Sequence, residues 1–172
     1  MNAEARPHDW EDPVSLPEVS TPKRVLVPFD GSHNAERALA WAEYVGARAE
    51  CEIVIVVAYE QPMTMRGRGA QYIESVRDDL EHEALELAAE AVELIKARGL
   101  QGRGIVVKGD VPRAILDITE SEGCELIIIG RQGVSAEIGG VSGALDRVRD
   151  MLQGGVSDKV VRHSAVPVLV VP

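Results

Sequence analysis

The feature that most constrains this chain is an alternation of two periodicities. Five strand-length apolar runs punctuate it: "RVLVPF" from Arg24, "EIVIVVAY" from Glu52, "GIVVKG" from Gly104, "ELIIIG" from Glu125 and "PVLVVP" from Pro167. Between them lie stretches with helical spacing. Ser32 is placed to cap a helix carrying Ala35, Leu39, Ala42 and Val45 on one side. A long amphipathic helix is predicted from Tyr72 to Arg98, with Val76, Leu80, Leu87, Ala91 and Leu94 as its apolar stripe and Gly99 as its stop. "DVPRAILDITESEG" is a third helix, started by Asp110 or Val111, with Pro112 tolerated in the first turn. A fourth covers roughly Gly143 to His163, with a break at Gly154-Gly155.

Strands that are apolar on both faces and alternate with helices form a parallel sheet covered on both sides. Right-handed crossovers then give an α/β doubly wound sandwich whose ligands bind at the carboxyl ends of the strands. Two such ends carry glycine and polar groups: "PFDGS" after the first strand and "GRQG" after the fourth. Met1 to Pro22 holds four prolines and no sustained period, and is predicted to be an arm before a single domain from Lys23 to Pro172.

Composition narrows the function. Eighteen basic against 28 acidic residues leave a net charge of −10. That field repels nucleic-acid backbones and anionic membranes, and 3% aromatic content supplies few base-stacking platforms. The apolar runs are far shorter than a membrane span. Cys51 and Cys124 stand in no metal-ligand or CxxC spacing, and they read as reduced, buried thiols of a cytoplasmic protein. The sequence shows no nucleophile–base pair or metal cluster, so enzymatic turnover is not expected.

Three blocks carry a family resemblance: "VLVPFDGSHNAERALAWA", "GDVPRAILDITESEGCELIIIGRQG" and "GGVSDKVVRHSAVPVLVVP". In this order they resemble the universal stress protein family over Lys23 to Pro172. The resemblance implies a sheet of order 3-2-1-4-5 and an adenine nucleotide, ATP or AMP with Mg possible, across the first and fourth strand ends. It places Pro28 and Asp30 by the adenosine and Ala58 along the adenine. It identifies Gly130 and Gly133 with the first glycines of the phosphate loop, and Gly154, Gly155, Val156 and Ser157 with its end. It also implies a homodimer paired through Val168, Leu169, Val170 and Val171.

The loop departs from the family pattern of Gly, two residues, Gly, nine residues, Gly, then Ser or Thr. Twenty residues, Val134 to Gln153, stand where nine belong, and Gly155 replaces the hydroxyl residue. A strict count instead reaches Gly143-Ala144, which also lacks a hydroxyl. Two functions are therefore expected in competition. One is a nucleotide-binding stress regulator with an expanded loop. The other is a stress scaffold or interaction protein of the same fold that binds no nucleotide. A related enzyme is a third class, but "DGSHNA" is neither the HxGH-like nor the SGGxDS-like loop of the sheet folds that transfer adenylyl groups.

Overall fold

A computed structural model describes residues 19–60, 70–133 and 155–172, and of residues 70–76 only the helical backbone. Strand β1 (Arg24–Pro28), helix α1 (His33–Ala49), β2 (Glu52–Tyr59), α2 (Ala70–Ala97), β3 (Gly102–Lys108), α3 (Val111–Ser121), β4 (Leu126–Gly130), α4 (Val156–His163) and β5 (Val168–Val171) follow in order. The strands form one parallel sheet ordered β3-β2-β1-β4-β5. The chain turns back between β1 and β4, so the switch point falls where the glycine-bearing loops were expected. The greater part of the arm, the "RGRG" at 66–69 and the segment from Val134 to Gly154 lie outside the described residues.

Alternation along each strand sorts the core into two layers. Val25, Val27, Ile53, Ile55 and Ile128 meet Ala35, Ala38, Leu39 and Ala42 of α1 and Ala84, Ala88, Ala91 and Ile95 of α2. Leu26, Val54, Val56, Ile127 and Ile129 meet Ile115 of α3 and Val160 of α4 on the other face. Helices thus cover both faces, which explains why the strands are apolar without alternation.

The caps follow local chemistry. Ala35 N donates to Ser32 Oγ at 3.1 Å, and Arg113 N donates to Asp110 Oδ1 at 3.1 Å. Gly99 ends α2 at a φ of +76°, a conformation that favours glycine. The face that α2 buries departs from the expected stripe at Leu94, while Leu80 and Leu87 are half-buried. Ala91 is buried, but Leu94 is 60% exposed, and the neighbouring contacts come from Ala84, Ala88, Val92 and Ile95. The cause lies in β3. A Cβ at Gly102 would sit 2.8 Å from Ile95 Cγ2, and one at Gly104 would sit 3.2 Å from Ala88 Cβ. Bare glycines in the strand let the helix settle on its small residues, which leaves Leu85 and Leu94 exposed while Leu87 packs half-buried against the core.

Candidate functional site

The site is assembled from the carboxyl ends of β1 and β4. Phe29 N donates to Val56 O at 2.8 Å and carries β1 past Pro28, which is half-buried opposite Val56. The chain then turns. Gly31 has a φ of +73°, and Ser32 N donates to Asp30 Oδ1 at 3.1 Å. This Asx turn raises Asp30 above the sheet and starts α1 in one step. Asp30 therefore stabilises the turn while its carboxylate stays at the mouth of the site.

From the other strand, Gly130 runs directly beneath the first turn of α1. A Cβ there would lie 2.8 Å from both the carbonyl carbon and the oxygen of Asn34. Asn34 Nδ2 donates to Gln132 O at 3.1 Å, and Arg131 N donates to Val171 O at 2.8 Å. Gly133 arrives against Asp30, so closely that a Cβ would come within 2.4 Å of Asp30 Oδ2. Glycine at 130 is thus required by contact with the backbone of α1, whereas a side chain at 133 would have to displace the Asp30 carboxylate.

The start of α4 closes the same corner. Gly155 is its N-cap in an extended conformation, and Lys159 N donates to Gly155 O. Ser157 is buried, and its hydroxyl donates to Arg131 O at 2.9 Å. In this arrangement Ser157 ties the helix to the loop rather than offering its hydroxyl to a ligand. Val156 is exposed beside it. Ala58 lies half-buried near the end of β2, opposite Val107. Gly154 lies outside the described residues. Asp30, Gly130, Gly133 and Ser157 are joined by direct contacts or one shared backbone segment, whereas Ala58 borders the region from the neighbouring strand.

Asn34 and the carbonyls of Arg131 and Gln132 complete the corner, and sequence reasoning did not single out Asn34. Its partner is 98 positions away, so no local spacing signals it. The N-terminus of α1 points its backbone dipoles toward this corner, and the start of α4 joins it there, an arrangement suited to anionic oxygens. Among the described residues no group of three or more His, Cys, Asp or Glu could hold a metal ion. A concavity of about 390 Å³ runs between α1 and α2, on the other side of the turn at Phe29 and Gly31. Its apolar walls and three carboxylates, Glu36, Glu43 and Glu90, against the single guanidinium of Arg98, make it ill suited to phosphate.

Of the strand proposed for dimerisation, β5 lies at the sheet edge. Val171 is 1% exposed and belongs to the core, Val168 is half-buried, and Leu169 and Val170 are each 36% exposed. His163, near the end of α4, donates from Nδ1 to Lys159 O at 2.8 Å.

The sequence profile of the universal stress protein family matches residues 21–172. The universal stress protein YxiE of Bacillus subtilis is 27% identical over 155 residues, covering 86% of this chain and 97% of its own. The solved universal stress protein UspA from Lactobacillus plantarum superposes with a TM-score of 0.70 at 16% identity, covering 87% of this chain and 97% of the other. A universal stress protein solved in complex with cAMP superposes with a TM-score of 0.63 at 23% identity, covering 89% of this chain and 99% of that one. With a family profile spanning the five strands and four helices of the described residues, this chain belongs to the universal stress protein family.

Proposed function

We propose that this protein binds an adenine nucleotide, AMP or ATP, across the ends of β1 and β4 and acts as a homodimeric stress regulator. The observation that carries the reading is the closure of Gly133 on Asp30 while Ser157 ties the start of α4 to Arg131. That corner gathers a carboxylate able to accept ribose or adenine protons, a glycine turn and helical N–H groups suited to phosphate. The cAMP bound by one structural relative is in keeping with it. Magnesium would accompany the phosphates of ATP, so titrations belong both with and without it.

Isothermal titration of the intact protein with ATP and AMP tests the reading, together with mass analysis of nucleotide released on unfolding. Binding at millimolar affinity or better is expected, and it should be lost in Gly133→Val, whose side chain would occupy the place of the Asp30 carboxylate. No co-purified nucleotide and no measurable heat would overturn it. The scaffold reading is favoured by a different observation: Gly155 has no hydroxyl and Ser157 has already committed its own.

The homodimer would form through the outer edge of β5, where an edge strand otherwise leaves backbone groups unpaired. Val170→Asp should yield monomers by light scattering, since Val170 is one of the exposed side chains of that strand. An unchanged dimer in that variant would place the contact elsewhere.

A further inference from the structure

The outer face of α1 carries a feature that the strand-end site does not use. Arg37, Trp41, Tyr44 and Arg48 are spaced by four, three and four residues, which aligns them in one stripe of the helix. Trp41 is 48% and Tyr44 50% exposed. Their rings meet edge to face, with centroids 5.7 Å apart at 70°. The Arg48 guanidinium carbon lies 3.4 Å from the Tyr44 ring centroid, and Arg48 Nη1 donates to Tyr44 O at 3.2 Å. The aromatic pair is thus rigid before any partner arrives, which lowers the entropy lost on binding.

Charge is sorted around this helix. Glu36 and Glu43 line the groove facing α2, where Glu43 meets Arg98 at 3.7 Å. The stripe itself carries two arginines and no carboxylate, in a chain of net charge −10. Scattered exposed apolar residues need no explanation. A preorganised Trp–Tyr pair flanked by arginines does, because these are the residue types that dominate binding energy at protein interfaces.

We propose that Arg37, Trp41, Tyr44 and Arg48 form a docking surface for an acidic peptide segment of a partner protein. At a rise of about 1.5 Å per residue, the two arginines stand about 16 Å apart along the axis. Carboxylates about five residues apart on an extended peptide span the same length, with an apolar side chain between them for Trp41 and Tyr44. A second copy fits poorly, since a two-fold axis would set the same arginines against each other. Nucleic acid is the poorer occupant, since a phosphate on every nucleotide meets the overall field with far denser charge than two spaced carboxylates, and the stripe offers only two cations.

The test is a display library of short random peptides selected against the full-length protein, with chosen sequences then synthesised and titrated by fluorescence anisotropy. Expected are sequences with Asp or Glu flanking an aromatic or aliphatic residue, bound more weakly as salt rises. Trp41→Ala and the double variant Arg37→Glu/Arg48→Glu should each weaken binding by about tenfold or more. Leu94→Ala, in the α1–α2 groove, should leave it unchanged. Circular dichroism of each variant confirms that the fold is intact. Selection of neutral or basic sequences, no selection at all, or binding indifferent to these variants would overturn the proposal. A concentration-dependent dimer lost in Trp41→Ala would assign the surface to a second copy. Single-stranded oligonucleotide binding lost in the same variant would assign it to nucleic acid. Either of these also overturns it.

Discussion

Where the strands begin, Arg24 Nε and Arg103 Nε each donate to a carboxylate oxygen of Glu52 at 2.8 Å, and Arg103 also pairs with Glu122. Where they finish, the joints are Asn34 to Gln132 O and Ser157 to Arg131 O. The first end is fastened by charged side chains reaching one another, and it holds the buried thiols Cys51 and Cys124. Burial raises the pKa of Cys124 to about 11, which keeps it in the unreactive thiol form. The second end is fastened by short neutral side chains on backbone carbonyls, and its glycines leave no bulk between Asp30 and the loop. The comparison teaches that the two jobs of the sheet are segregated. One end secures the strands with ion pairs, and the other keeps its backbone bare.

The largest effect should come from filling a glycine at the second end. Gly130→Val would drive a side chain into the backbone of Asn34, where even a Cβ stands 2.8 Å away. Because backbone cannot move aside as a side-chain tip can, stability should fall by about 1–3 kcal/mol. In a domain of this size that corresponds to about 2–4 °C in Tm for each kcal/mol, read by calorimetry or chemical denaturation. A variant as stable as the parent would show that α1 does not rest on the loop as described.

The first end should respond to pH and salt instead. Burial opposes the charge on Glu52, but hydrogen bonds from Arg24 and Arg103, with the attraction of both guanidinium groups, outweigh it and hold the carboxyl below its ordinary range. A depressed carboxylate contributes stability above its unfolded pKa of about 4.3, and that contribution is lost as pH falls through the lower folded value. Glu52→Gln should therefore cost about 1 kcal/mol or less at neutral pH, since these side chains are 25–45% exposed. The difference from the parent should shrink below about pH 4 and in high salt. Denaturant titrations at several pH values and salt concentrations measure both. A difference that persists unchanged in acid would break the contrast between the two ends.

How far the sequence discloses each end follows from the range of the interactions. The strands, the sheet class and the caps at Ser32 and Asp110 were legible because each depends on residues within a turn or two. The turn at Asp30 was legible for the same reason. The buried face of α2 was legible only in part: Leu87 and Ala91 reach the core but Leu94 does not, because Gly102 and Gly104 of another element decide how the helix lies. Neither Asn34 to Gln132 nor Ser157 to Arg131 was legible, since their partners lie 98 and 26 positions apart. Family resemblance located Ser157 at the site but not the use of its hydroxyl, which a motif does not encode. The corner at the ends of β1 and β4 was thus readable as a place, through its glycines, before it was readable as a set of contacts.

The smallest expected change in stability also separates the two functional readings. Gly155 has a φ of −65° and a ψ of 179°, which any residue adopts, and a Cβ there would meet nothing within 4 Å. Gly155→Ser should therefore fit without strain and add the side-chain cap that α4 lacks, raising stability by a few tenths of a kcal/mol. A serine hydroxyl both accepts and donates, so one group can cap the helix and donate to a phosphate. If nucleotide binds at this corner, the added hydrogen bond to a charged phosphate is worth about 1.5–3 kcal/mol, or roughly ten- to 150-fold in affinity by titration calorimetry. On the scaffold reading the same variant gains its cap while nucleotide binding stays unmeasurable in both proteins. The stability gain reports that the substitution folded as intended, so a missing affinity gain in a variant that does carry the gain counts against the phosphates lying beside Gly155, and not against the substitution itself.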